Sequence, residues 1–154
     1  MFRVKILKTG ELVSRNFICY PKNNLIQFVE KAQKPNIDVS ILTDLQLIDL
    51  CIEKFQLVHF AIKRTGGYVP TNGMLSCALC LKYHPKYSYG NGNDYYKCTD
   101  CPIYKFTNRS FCVATPYEHY DDASGEDDVS VGALLTIVKG EIKFLQNVKR
   151  RQNG

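Results

Sequence analysis

Apolar and polar residues alternate at the start of the chain. Residues 2–6 alternate apolar with basic side chains, and a period of two is typical of a half-buried strand. Residues 8–11 hold a glycine-containing turn signal, and residues 13–19 can return as a second strand. This pattern predicts an N-terminal β-hairpin.

Two helical patterns follow before residue 66. Asn24 can cap a short helix with an apolar stripe. A longer helix is predicted from Thr43, which forms a capping box with Gln46, to about Arg64, and Gly66 ends it. The short helix has its stripe at Leu25, Phe28, Val29 and Ala32, and the long one at Leu47, Ile48, Cys51, Phe55, Val58 and Ile62.

The second half of the chain changes character. Residues 68–128 show little periodicity and hold five of the seven cysteines. A loop-rich stretch of this length needs something other than a core to organise it. Residues 130–148 then predict a second amphipathic helix. We therefore predict an α+β protein with an N-terminal β-hairpin, two main helices and a zinc-organised loop region. Its two portions, 1–66 and 67–154, are expected to form one compact unit.

Composition narrows the class of protein. The 154 residues are 45% hydrophobic, enough for a real core, and the net charge of +5 permits an acidic partner or nucleic acid. Charged residues interrupt the first twenty positions, so no secretory signal is visible, and no apolar run is long enough to span a bilayer. We expect a cytoplasmic protein with reduced thiols and no membrane partner.

Four cysteines in two tight pairs are the strongest chemical signal. Cys77 and Cys80 form one C-x2-C pair, Cys98 and Cys101 form the other, and seventeen residues separate the pairs. This spacing is typical of a four-thiolate metal site, which favours Zn²⁺, with iron as the alternative. Four sulfur ligands leave no open position for water, so such a site is structural. Cys112 and His84 are reserve ligands.

The loop between the cysteine pairs is rich in tyrosine and lysine. Tyrosine rings can stack on single-stranded bases while lysines contact phosphates. The same residues also suit a protein interface, or they can wrap the metal site. The candidate residues for binding a partner or nucleic acid are Tyr83, Lys86, Tyr87, Tyr89, Tyr95, Tyr96 and Lys97.

No enzyme motif is present in the sequence. The chain lacks H-x-E with P-C-x-x-C, H-E-x-x-H, a Walker loop and G-x-G-x-x-G. We therefore expect a non-catalytic protein.

One resemblance adds a possible origin. The chain reads Cys77-Ala78-Leu79-Cys80, then Cys98-x-x-Cys101-Pro102-Ile103, then Cys112-x-x-Thr115-Pro116-Tyr117. With the C-terminal helix, residues 77–148 resemble small bacteriophage proteins of no established activity. In those relatives the gap between the pairs is usually shorter, so the tyrosine-rich loop would be an insertion.

The resemblance implies metal binding, a phage origin and the host cytoplasm as location. It suggests a zinc protein that inhibits a host or defence component by binding it. The alternative is a zinc protein that binds nucleic acid directly through the Tyr/Lys-rich loop.

Overall fold

The computed structural model describes residues 2–28, 39–83, 100–109, 112, 115–125 and 128–153. In these residues an antiparallel sheet precedes five helices, so the predicted α+β class is confirmed. The strands are β1 (Lys5–Ile6), β2 (Leu12–Val13), β3 (Phe17–Tyr20) and β4 (Leu25–Phe28), and each pairs with the next in chain order. The predicted hairpin is therefore part of a four-stranded meander.

Two turns explain why the sheet has four strands. The N–H of Ser14 donates to the carbonyl of Phe17 at 2.9 Å, so residues 13–19 fold back on themselves as two strands. Asn24 has φ of 49°, a left-handed turn conformation. The predicted cap of a short helix at Asn24 is thus wrong, and residues 25–28 pair with β3 instead. The rest of that predicted helix, residues 29–32, lies outside the described residues.

One face of the sheet packs on the long first helix, α1 (Asp44–Thr65). The side chain of Glu53 on α1 ties the helix to the turn between β2 and β3. It accepts from the hydroxyl of Ser14 at 2.6 Å and from the backbone N–H of Asn16 at 2.7 Å. The buried residues on the sheet are Leu12, Phe17, Cys19 and Ile26.

The ends of α1 follow the sequence prediction. The hydroxyl of Thr43 accepts from the N–H of Gln46 at 3.2 Å, and the side chain of Gln46 accepts from the N–H of Thr43 at 2.9 Å. Gly66 has φ of 79°, and its N–H donates to the carbonyl of Ile62. The capping box and the glycine stop are both confirmed.

Residues 68–128 are more helical than predicted. They contain α2 (Ala78–Tyr83), α3 (Pro102–Thr107) and α4 (Pro116–Asp122), with 3-10 turns at Gly73–Ser76 and Ala123–Gly125. These helices have six or seven residues, which is too short for a clear helical period. The prediction of a loop-rich region therefore missed these three short helices.

The C-terminal helix, α5 (Val131–Asn153), packs on α1, and it runs antiparallel because Lys149 meets Asp49 whereas Lys139 lies near His59. The predicted second main helix is confirmed, and Lys149 of α5 pairs with Asp49 of α1 at 2.7 Å. Tyr120 of α4 is fully buried, and its hydroxyl bonds both the N–H and the carbonyl of Val69, at 3.1 and 2.7 Å. Across the described ranges, no helix is long and apolar enough to cross a membrane.

Candidate metal centre

The first cysteine pair forms a compact turn. Cys77 lies between the 3-10 turn at Gly73–Ser76 and α2, and Cys80 lies within the first turn of α2. The N–H of Cys80 donates to Sγ of Cys77 at 3.4 Å, and the N–H of Leu81 donates to the carbonyl of Cys77 at 2.9 Å. This turn brings the two sulfurs to the same side of the chain, as the two-residue spacer requires.

Cys101 begins the next helix. It is the N-cap of α3, with extended backbone angles, and Pro102 follows at the first helical position. Proline fits there because the first N–H groups of a helix have no partner within it. The carbonyl of Cys101 accepts from Lys105 at 3.1 Å. Cys98, the other member of this pair, lies outside the described residues.

Cys112 is held in an unusual backbone conformation. Its φ of 58° is left-handed, which costs a non-glycine residue roughly 1–2 kcal/mol. The hydroxyl of Thr115 donates to its carbonyl at 2.6 Å, directly before Pro116 begins α4. The start of α4 thus fixes the position of Cys112.

These cysteines surround one cavity of about 170 Å³. Three separate segments contribute Cys77, Cys80, Cys101 and Cys112, and Cys51 of α1 joins them. Tyr117 also lines the cavity and packs its ring edge-on against Phe55, with centroids 5.9 Å apart. Within the described ranges, no three cysteine, histidine or acidic side chains are already arranged as a set of metal ligands.

The thiols in the cavity are coupled. Hydrogen bonds to the sulfur of Cys77, first from Cys51 and then from Cys80, hold its pKa well below the usual range of a thiol. The pKa values of Cys51 and Cys80 are raised, first by their hydrogen bonds to Cys77 and then by burial. Charge on Cys101 and Cys112 also raises the pKa of Cys80. The sulfurs therefore lie within electrostatic reach of one another.

Two ionisable side chains, one basic and one acidic, are buried beside these thiols. Lys54 of α1 is 2% exposed, and its ammonium donates to the carbonyl of Gly73 at 3.5 Å. Its positive charge also favours the thiolate of Cys77. Glu141 of α5 is 3% exposed, and burial raises the pKa of its carboxyl to about 8, although the N–H of Tyr117 donates to it. Burial thus favours the neutral form of Glu141, whereas Lys54 supplies a positive charge beside the sulfur of Cys77.

The predicted site residues are only partly brought together. Cys77, Cys80, Cys101 and the reserve ligand Cys112 meet at the cavity. The hydroxyl of Tyr83 donates to the carboxylate of Asp44, so this member of the predicted loop is docked on the start of α1. The remaining candidates lie outside the described residues: Cys98, His84, Lys86, Tyr87, Tyr89, Tyr95, Tyr96 and Lys97.

Three residues at the cavity escaped the sequence prediction. Cys51 fits the apolar stripe of α1 and was expected to be only a core residue. Lys54 and Glu141 occupy buried positions on α1 and α5. Lys54 and Glu141 each lie three residues after an apolar position of their helix, as Lys54 follows Cys51. Residues three apart lie on the same face of a helix, so this spacing could have indicated that both side chains face the core.

Comparisons give no further assignment. The chain matches no protein-family model, and its comparison with curated proteins and with solved structures finds no match.

Proposed function

We propose that this is a non-catalytic zinc-binding protein that acts by binding another macromolecule. Cys77, Cys80 and Cys101 supply three thiolates, and either Cys98 or Cys112 supplies the fourth. The observation that supports this most directly is the meeting of four cysteines, from three segments, at one cavity. Chance alone rarely gathers so many thiols around one space, whereas a tetrahedral zinc site requires it.

The buried charge of Lys54 favours a thiolate at Cys77. Four thiolates and Zn²⁺ have a net charge of −2, which is costly to bury without compensation. Lys54 is buried beside Cys77 and offsets part of that charge. The hydrogen bond from Cys51 to Cys77 has the form of an outer contact that orients a ligand. The site would therefore be structural, joining α1, α2, α3 and the start of α4.

The fourth ligand can be assigned by mutation. Zinc per chain is measured in protein purified without added metal, for Cys98→Ser and Cys112→Ser separately. The variant that loses zinc identifies the ligand. Cys19→Ser is the matched control because Cys19 is fully buried in β3, in the sheet. Loss of zinc from the control alone, or no zinc in the unmodified protein, contradicts the proposal.

The resemblance to phage proteins directs the search for a partner. We infer a host or defence protein, met in the host cytoplasm, that this chain inhibits by binding. The test is a pull-down from host lysate with and without nuclease. A partner that survives nuclease treatment supports protein binding, and a partner lost with the nucleic acid supports direct nucleic-acid binding instead. The zinc measurement is independent of either outcome.

A further inference from the structure

A basic stripe runs along the outer face of α5. The helix has five basic residues, Lys139, Lys143, Lys149, Arg150 and Arg151, and its sole acidic residue is the buried Glu141. Lys139, Lys143 and Arg150 are exposed and are spaced by four and seven residues. At 1.5 Å per residue, their charges lie on one face over about 16 Å.

The flanks of this stripe are fixed by other contacts. Lys149 pairs with Asp49, and the guanidinium of Arg151 lies 5.7 Å from the ring centre of Phe106. The exposed Lys63 of α1 extends the positive charge across the helix pair. Its charge and that of Lys139 both lower the pKa of His59, after the larger effect of burial. The stripe is thus a row of positively charged side chains that spans two packed helices.

We propose that Lys139, Lys143, Arg150 and Lys63 bind the phosphate backbone of double-stranded nucleic acid. Two observations assign the partner: the stripe is complementary in charge to a phosphate backbone, and in the described part of the chain it has no exposed large hydrophobic side chain that could anchor a protein. Stable protein interfaces are anchored by buried aromatic or apolar side chains, and the described exposed large hydrophobic residues, Ile6 and Ile41, are not on α5.

The same observations separate a duplex from two other polyanions. The apolar face of α5, with Leu134, Val138, Leu145 and Val148, is buried in the core and cannot insert into a membrane. Single strands are held by aromatic stacking, and the stripe has no aromatic residue. A straight row of cations suits the regular backbone of a duplex, which is bound without reading its sequence. This proposal does not depend on the metal.

The test compares two triple variants in binding to a fluorescent DNA duplex. Lys139→Gln, Lys143→Gln and Arg150→Gln remove the stripe. Arg3→Gln, Lys5→Gln and Lys8→Gln are the matched control, because they remove the same charges from exposed positions at the sheet. Affinity is measured by anisotropy between 50 and 200 mM salt.

The stripe variant should bind the duplex about tenfold or more weakly at low salt. The slope of log K against log salt should become shallower by about 2.7, because each of the three lost phosphate contacts contributes about 0.9 to that slope. The sheet control should bind as the unmodified protein does. In the unmodified protein, added duplex should raise the pKa of His59, read by NMR, because phosphates neutralise Lys63 and Lys139.

Four results would overturn the proposal. They are absence of binding at 50 mM salt, equal loss in the sheet control, tighter binding of the matching single strand, and equal affinity for polyglutamate. The last would indicate an acidic protein partner instead. Thermal melting of both variants checks that they fold. The pKa of His59 is measured in the unmodified protein, so that test does not depend on the folding of any variant.

Discussion

Replacing Lys54 by methionine separates a metal–thiolate site from a cluster of neutral thiols. Lys54 is 2% exposed, yet its ammonium makes one long hydrogen bond, to Gly73, and lies 5.5 Å from the ring centre of Phe55. Such a weakly solvated charge is costly unless an opposite charge lies nearby. Methionine has a similar length and no charge, so Lys54→Met removes the countercharge and leaves the packing largely unchanged.

The expected effect on zinc affinity is larger than the effect on the stability of the zinc-free protein. A neighbouring charge acts on an ionisable group within roughly 6 Å, and at an effective dielectric constant of about 20 opposite charges at that separation attract by about 3 kcal/mol. Zinc affinity should therefore fall by about a hundredfold, since about 1.4 kcal/mol is a factor of ten. In the zinc-free protein the thiolate of Cys77 still compensates Lys54, so the free energy of unfolding should change by much less than the zinc affinity.

Zinc affinity is measured by competition with a chromophoric chelator, and stability by urea unfolding in a reductant with chelator present. Lys63→Met is the matched control, because Lys63 is exposed on the same helix. It should change neither quantity by much. If Lys54→Met keeps full zinc affinity, or lowers zinc affinity no more than Lys63→Met does, Lys54 does not compensate thiolate charge and this reasoning is wrong.

Three further predictions test other parts of the account. Tyr120→Phe should lower the free energy of unfolding by about 2 kcal/mol in urea titrations, because two buried backbone groups lose their hydrogen bonds; an unchanged midpoint would show that water replaces the hydroxyl. Gly140→Ala should stabilise α5 by about 0.5–1 kcal/mol in the same assay, since an added methyl would meet Pro116 at an ordinary 3.8 Å, and a loss of stability would mean that the contact is too tight. The pKa of His59 in NMR titrations should lie below 6.5, because burial lowers it first and the lysine neighbours lower it further. The contribution of His59 to the stability of the fold is therefore fully present above pH 6.5 and is lost as the pH falls through the lower pKa of the folded state. Lys139→Gln should raise that pKa, and no change would place Lys139 away from the ring.

Features set by neighbouring residues could be predicted from the sequence. Thr43 and Gln46 form their capping box within one turn, and Gly66 ends α1 by its own backbone preference. The C-x2-C spacing likewise predicts the local turn at Cys77. Pro102 and Pro116 begin short helices, and proline at a first helical position was a signal that the loop-rich interpretation overlooked.

Features set by distant partners could not be predicted in this way. Residues 25–28 have apolar positions compatible with a helix, but pairing with β3 makes them a strand. Cys51 satisfies the apolar stripe of α1, and only the packing of α2 against that helix brings it to Cys77. Lys54 and Glu141 become neighbours of the thiols through the same packing, which no local pattern encodes.

X-ray absorption at the zinc edge tests the central claim most directly. The protein is purified without added metal, and the metal content and the ligand shell are determined on the same sample. The account predicts about one zinc per chain, surrounded by four sulfur atoms at about 2.3 Å. A protein free of zinc, or a shell containing nitrogen or oxygen in place of sulfur, would contradict the four-thiolate site.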